Sequence, residues 1–569
     1  MRKNVKIVYL LVGLLSLSFI MPGIHQVSGQ DENLSGENDL YKRYLTDLNE
    51  KYLNVLDLKT RDQPVKGTGI DEEGKTCAPS LGPACDVALL KENLITAAAF
   101  SMEYKNERDE ESYEIAKNDL YFFISKLKSQ YSSKYGGYKH SDEIHENLES
   151  RIFAIDQFLY LEFISEMYEN MKVGAMLYNL KEAFNFTLGF LADYNETLGN
   201  KSPYGAYWTA IQNERKLSNA NQNPGIATNP IYNPFPNNYN DALMNNSLWA
   251  AAGLAHYASI LKSSTTSLNQ PDGWRDTQAK IEDLELNHEK NLKEIFYNLS
   301  SSGELDDFAR YSIAVEMAKQ AFSCAELYAW NNSLSLFGEK QLLQPQKYLA
   351  ETQIIAFLAS ARLFEATEEF MYLEKAQTIL NSLVSRFWDS GKGGLFHTFV
   401  PGMNYEMRES GVKWGYDNAL LAYALVQLAD AQGAMESRFI DFWEFEKPIN
   451  DYFDLAEAIV QFMNDQMYFN SSSSNTVGYT EWLNYKGDRI SQGDSDESAR
   501  FVTTNMLVYY TLNSMVIKSQ SFADFYMNYI IYMSIGGVAV FLLLYLWRHR
   551  QETGAEMPSV VRSMMAKND

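Results

Sequence analysis

Hydrophobic positions along this chain fall into two alternating patterns, and each predicts a different kind of helix. One kind is apolar on nearly every side, as in "ENLITAAAFSMEY" (92–104), "TQIIAFLASARLF" (352–364) and "DNALLAYALVQLADA" (417–431). A helix with no polar face has to be covered all round. The other kind carries one stripe. In "YLEKAQTILNSLVSRFW", Tyr372, Ala376, Ile379, Leu380, Leu383, Val384 and Phe387 recur at helical spacing. "SYEIAKNDLYFFISKLKSQY" (112–131) repeats the stripe through Tyr113, Ala116, Leu120, Phe123, Leu127 and Tyr131. Such helices meet water on one side. The alternation predicts concentric rings: an all-α (α/α)6 toroid over residues 37–520, with seven hairpins as the other possible count.

The expected inner helices share a start. A polar or acidic residue is followed by Asn or Gln and then by apolar residues: Glu92-Asn93, Asp156-Gln157, Asn245-Asn246, Lys319-Gln320, Thr352-Gln353, Asp417-Asn418 and Thr504-Asn505. The short step from Gln320 to Gln353 leaves room only for a stunted outer helix around Leu334 to Leu343. The first helix, "NDLYKRYLTDLNEKYLNVLD" (38–57), is striped, which suits it as the outer partner of the last inner helix, closing the ring.

Two segments end an outer helix in the same way. "KYGGYKH" carries Gly136, Gly137 and His140; "GKGGLFH" carries Gly393, Gly394 and His397. Weaker cousins are "YGAYWT" (204–209) and "VGYTEW" (477–482). Glycine stops a helix by taking a left-handed backbone that other residues adopt at a cost. The extended residues after it return the chain across one face, so these turns gather at one mouth, where the inner helices begin.

The two ends of the chain read differently from its body. Residues 1–29 have the basic start, apolar run and small-residue exit of a secretory signal peptide. Residues 525–547 carry no charge and have the length of a membrane-crossing helix. Arg548 and Arg550 follow, which puts the tail, 548–569, in the cytoplasm. The expectation is a single-pass cell-membrane protein with its bulk outside. Sequons at Asn33, Asn185, Asn195, Asn200, Asn245, Asn298, Asn331 and Asn470 all precede the anchor. Cys77 and Cys85 bracket a Pro/Gly loop and are expected to pair, whereas Cys324 lies in an apolar helix as a buried thiol.

The net charge of −24 excludes nucleic acid as a partner. Aromatics make up 14% of the chain, with 37 Tyr, rings that either fill a core or line a carbohydrate groove. No phosphate loop, nucleophile elbow or metal-ligand cluster is evident, and no cofactor is expected; Asp494, Asp496 and Glu497 lack the spacing of a calcium loop. Hydrolysis of a glycan needs two carboxyl groups flanking the bond, one protonated and one ionised. Inner-helix starts offer Glu92, Asp156, Asp241, Glu351 and Asp417, each equally readable as a helix cap. Asp417 and Glu351 lead, with His397 as a proton-transfer group. Trp414, Tyr416 and His140 would contact substrate at the mouth. The long loop 202–240, with its Asn-Pro steps, adds Trp208, Tyr232 and Phe235, either stacked on sugar or pinning the loop to the barrel. A glycan on Asn245 would crowd this mouth.

The segment "SRFWDSGKGGLFHTFVPGMNYEMRESGVKWGYDNALLAYALVQLADA" (385–431) resembles the helical toroid of the N-acylglucosamine 2-epimerase superfamily. It also resembles the six-hairpin domain of spermatogenesis-associated thioredoxin-like proteins. In both, a helix ends before Gly-Gly-aromatic, a strand-like return follows, and Tyr-Asp-Asn-Ala-Leu-Leu opens an inner helix. The chain has no Cys-x-x-Cys, so the thioredoxin module is absent. The epimerases' catalytic histidine pair is not assigned to residues here. The resemblance implies the toroid and a carbohydrate-facing mouth, not a reaction. Two functions follow as expectations: a surface-anchored glycan hydrolase, or a non-catalytic surface protein that binds glycan or protein on the same scaffold.

Overall fold

A computed structural model of the chain describes residues 40–53, 69–70, 88–107, 110–121, 124–125, 137–138, 140, 152–188, 210–211, 241–265, 292–303, 305–338, 347–402, 411–432, 452–471, 475–490 and 499–518. The chain forms two units. One is Arg43–Ser514; the other joins Met1–Lys42 with Met515–Asp569, and its described residues, 40–42 and 515–518, are helical.

Within Arg43–Ser514 the helices alternate as the patterning predicts. Buried inner helices are α2 (Leu90–Glu107), α4 (Ala154–Met171), α6 (Asp241–Thr265), α9 (Ala350–Thr367), α11 (Gly415–Gln432) and α13 (from residue 502). Each of α2, α4, α6, α9 and α11 packs on the next in that order. Outside them lie α3 (Glu110–Glu114, continued by a π-helical turn Ile115–Tyr121), α5 (Gly174–Thr187), α8 (Asp307–Ala329), α10 (Phe370–Phe387) and α12 (Tyr452–Phe462). These pack on α2, α4, α6, α9 and α11 respectively. The stripe of α10 is buried as read, through Tyr372, Ala376, Ile379, Leu380, Leu383, Val384 and Phe387.

The sixth hairpin is completed by the N-terminal helix α1, whose residues 43–53 end in a π-helical turn. Tyr52 of α1 is fully buried and donates to the Arg500 carbonyl at 3.1 Å, just ahead of α13. Strand β1 (Gly69–Ile70) then pairs with β12 (Arg500–Phe501). The ring closes through its first and last helices, giving six hairpins among the described residues.

The pair Lys319-Gln320 departs from expectation. It lies in the middle of α8, which is the outer partner of α6, not an inner helix. The reason is extra cover: α7 (Leu292–Ser302) packs against α8, so α8 buries more than one stripe and mimics an inner helix. The stunted helix expected around Leu334 is a hairpin instead, β4 (Trp330–Asn331) with β5 (Leu336–Phe337); residues 339–343 fall outside the described set.

One local device recurs at the mouth and explains the shared helix start. The Gln157 side chain accepts from Tyr138 N at 2.8 Å, and its NH2 donates to the carbonyls of Tyr138 and Phe153. Gln353 treats Phe337 and Leu349 in the same way, Asn418 treats Leu395 and Trp414, and Asn505 treats Tyr479 and Phe501. Each amide thus satisfies both backbone groups of one return residue and one orphan carbonyl at its own helix start. The glycines make room for this return. A Cβ on Gly137 would sit 2.3 Å from the Phe186 ring of α5, and one on Gly394, at φ +79°, would sit 2.3 Å from the Phe462 ring of α12.

The returns also cap the inner helices. Leu90 N donates to His140 O, Ala350 N to His397 O and Gly415 N to Glu481 O, at 2.9, 2.9 and 2.7 Å. Short antiparallel ladders complete the rim: β2 (Ile152–Phe153) with β3 (Ala210–Ile211), β6 (Tyr348–Leu349) with β7 (Thr398–Phe399), and β8 (Val412–Trp414) with β11 (Trp482–Asn484).

Among the described residues no helix is long and apolar enough to cross a membrane; segment 525–547, the signal segment, the tail, Cys77, Cys85, Asn33, Asn195 and Asn200 lie outside them. Cys324 is a buried free thiol. Asn470 is exposed on β9 (Tyr468–Ser471), whereas the Asn331 amide donates to the Tyr348 hydroxyl and its carbonyl oxygen accepts from Ser333 N. Asn185 is half-buried on α5, and Asn298 lies within α7.

Candidate active site

The first turns of the inner helices converge on the mouth with two matching pairs. Asp156, in the first turn of α4, holds His140 Nδ1 at 3.1 Å. Asp417, in the first turn of α11, holds His397 Nδ1 at 2.7 Å. Both histidines occupy the third place after the second glycine of their return, and both partners directly precede the clamping Gln or Asn. The repeat has therefore built the same dyad twice.

A third copy carries different chemistry. In Gly478-Tyr479-Thr480-Glu481, Glu481 stands where the histidines stand. Its carboxylate accepts from the Thr504 hydroxyl, which occupies the place of Asp156 and Asp417, and from Tyr416 N at 3.1 Å.

Burial separates the roles within each dyad. Asp156 and Asp417 are 1% and 0% exposed, while the histidine side chains in front of them are 45% and 14% exposed. The carboxylates hold the rings and the rings face the opening. His397 also lies flat against Trp414, with centroids 3.7 Å apart and planes within 7°. His140 meets Phe153 edge-on.

One cation links these groups. Lys91, from the start of α2, sits 4.0 Å from the centroid of the Tyr416 ring and acts electrostatically on Glu92, Glu351 and Glu481. Burial opposes its charge, but Tyr416, Glu351 and Glu92 outweigh burial and hold it protonated. Burial pushes the Glu351 carboxyl up, and Asp417 beside it adds to the shift against Lys91 and His397. Burial likewise raises Glu92 and Asp417, and it lifts Glu481 to about 7 and Tyr416 to about 12. The bond to Asp156 raises His140 against burial. The mouth therefore combines carboxyls whose proton affinity burial raises, an ammonium, and two imidazoles anchored through Nδ1.

Of the residues singled out in the sequence, Glu92, His140, Asp156, Glu351, His397, Trp414, Tyr416 and Asp417 share this neighbourhood. Asp241 begins α6, and its side chain lies outside the described set, as do Trp208, Tyr232 and Phe235. Asn245 accepts from Thr352 in the first turn of α9, at the same rim. Lys91 and Glu481 were not foreseen. Glu481 was readable, since "VGYTEW" repeats the return motif with Glu in the histidine place; Lys91 carries no comparable signal.

No protein-family model matches the sequence, and no curated protein matches it either. Solved structures do. A sugar epimerase from a ruminal bacterium superposes with a TM-score of 0.50 at 10% identity, over 83% of this chain and 98% of that one. Cellobiose 2-epimerase from Bacillus thermoamylovorans gives 0.51 at 10% identity, over 84% and 99%. These likenesses show that the chain has the (α/α)6 toroid fold. A GH76 α-mannanase from Bacteroides thetaiotaomicron is also similar, with a TM-score of 0.46 at 10% identity over 84% and 96%. The toroid found here thus covers nearly the whole length of both epimerases.

Proposed function

We propose that this toroid is a carbohydrate-active enzyme that moves a proton on the reducing-end sugar of a glycan bound in its mouth. The observation that carries the reading is the doubled dyad: two solvent-facing imidazoles, each fixed through Nδ1 by a buried aspartate. His397, with Asp417 behind it, removes the proton from the carbon next to the sugar carbonyl, through Nε2. Glu351, whose carboxyl burial shifts toward the protonated form, donates a hydrogen bond to the carbonyl oxygen as charge develops there. His140 returns a proton to the same carbon, and the product is the epimer. Trp414 offers a flat ring beside His397 for the sugar face. The shared fold with two sugar epimerases supports this reading.

Glycan hydrolysis is the second reading, favoured by the same raised proton affinity of Glu351, which would act as acid on a glycosidic oxygen. Its usual second carboxylate is less available, because Asp156 and Asp417 lie beneath their histidines. In either case the proposal places the toroid outside the cell, delivered by segment 1–29, held by 525–547, carrying glycans on exposed sequons and a Cys77–Cys85 disulfide.

The deciding experiment incubates the full-length protein with mixed reducing oligosaccharides in D2O and follows products by NMR and mass spectrometry. Deuterium at the carbon beside the carbonyl, with a new epimer, is the expected result. New reducing ends without deuterium would make the protein a hydrolase. Binding with neither change would leave it a glycan-binding scaffold and overturn the enzymatic reading.

A further inference from the structure

The inner helices carry a second polar cluster, well along their length from the mouth. Glu162, Glu166 and Glu169 lie on successive turns of α4, six, ten and thirteen residues past Asp156. His256 comes from α6, and Arg362 and Glu365 from α9. Arg362 donates to Glu162 at 3.1 Å and to Glu365 at 2.8 Å, and lies 3.5 Å from Glu166 Oε2. Glu166 Oε1 also accepts from Asn170 and from the Tyr510 hydroxyl. Four carboxylates here face one guanidinium and one imidazole, with the Lys172 ammonium acting on Glu169 as well. Carboxylates in excess over cations in a largely buried cluster leave room for a further positive partner.

His256 is the odd member. It is 0% exposed, and only one of its ring nitrogens has a partner within 3.5 Å. Nδ1 faces Glu162 Oε2 at 3.1 Å, and Nε2 is 3.7 Å from Glu169 Oε2, too far for that oxygen to accept. The ligand atoms of Glu166, Glu169 and His256 all lie within 4.8 Å of one another. Atoms bound at about 2.0–2.2 Å around a tetrahedral cation stand roughly 3.4 Å apart, so the His256–Glu169 edge is already near a loaded spacing.

We propose that Glu166, Glu169 and His256 bind a first-row divalent cation of the zinc class, which ties α4 to α6. His256 would ligate through Nε2, while Glu162 beside Nδ1 fixes the tautomer, the role a carboxylate plays behind a metal-bound imidazole. Mixed nitrogen and carboxylate donors favour zinc or a neighbouring transition metal over calcium, which takes oxygens alone. Entry is from solvent past Glu169, whose side chain is 40% exposed. The site is independent of the mouth and of the reaction proposed there. The rival is that a proton on His256 serves as the partner instead.

The test uses the full-length protein stripped with chelator and titrated with Zn2+, Mn2+ and Ca2+ by calorimetry, with thermal unfolding in parallel. One equivalent of Zn2+, a raised Tm, and little response to Ca2+ are expected. Glu169→Gln, at a partly exposed position, should weaken Zn2+ binding at least tenfold while leaving the metal-free Tm nearly unchanged. Glu351→Gln, at the mouth, should leave it unaltered. No stoichiometric Zn2+, or Zn2+ bound equally well by Glu169→Gln, would overturn the site and leave His256 as a protonated ion-pair partner.

Discussion

His397 is held from two directions, by Asp417 at 2.7 Å and by the Trp414 face, so its ring has one orientation to offer a substrate. Asp417→Asn keeps the shape but frees the choice of tautomer. It should lower kcat by roughly 10²–10⁴-fold, with KM changed little, in the deuterium-exchange assay. An unchanged kcat would remove the dyad from the mechanism. Glu481 gives a stability prediction at the same scale. Its carboxyl titrates at about 7 in the fold against an ordinary 4.5, because burial penalises the charge. The folded state therefore binds the proton more tightly, and this contribution is complete below pH 4.5 and lost as the pH rises through 7. Above that the buried charge costs about 3 kcal/mol. Glu481→Gln should flatten the fall in Tm between pH 5 and pH 8; a variant with the wild-type slope would contradict this.

Among elements, the unit that matters is the clamp between a return and the next inner helix. Gln353→Leu would leave the N–H and C=O of Phe337 without their partner in a buried setting. A loss of about 2–4 kcal/mol in urea unfolding is expected. Gly394→Ala should be worse than its size suggests, since the new methyl meets Phe462 and the backbone has positive φ. Phe462→Ala added to it should recover part of the loss, and strict additivity would argue against the clash. The repeated Asn or Gln was visible in the sequence as a pattern, yet its cause was not, because the residue it clamps lies up to 26 positions away. The same limit explains Lys319-Gln320: the letters match the motif, but Gln320 lies in the middle of α8 rather than at a helix start.

For the whole molecule, closure depends on the first helix reaching the last. Tyr52 donates to Arg500, and Asn49 donates to Glu103 of α2 at 3.2 Å, so α1 touches both ends of the inner ring. Removing residues 40–53 should abolish cooperative unfolding of the domain, as read by circular dichroism. The proposed anchor is tested at this scale too. The full chain should sediment with membranes, and a chain ending at residue 520 should be released; sedimentation of both would place the attachment elsewhere.

By itself the sequence determined the two classes of helix, the rim on which glycine returns and acidic helix starts meet, and the histidines among the candidates. Periodicity and turn chemistry are local, so they survive without coordinates. Only the tertiary structure decided that the described helices make six hairpins, that Asp156 and Asp417 lie behind histidines, that Lys91 and Glu481 belong to the mouth, and that His256 lies among glutamates of another helix. Those outcomes depend on which faces touch across the ring, and on how far burial shifts a charge, quantities that arise only when distant segments exclude water together.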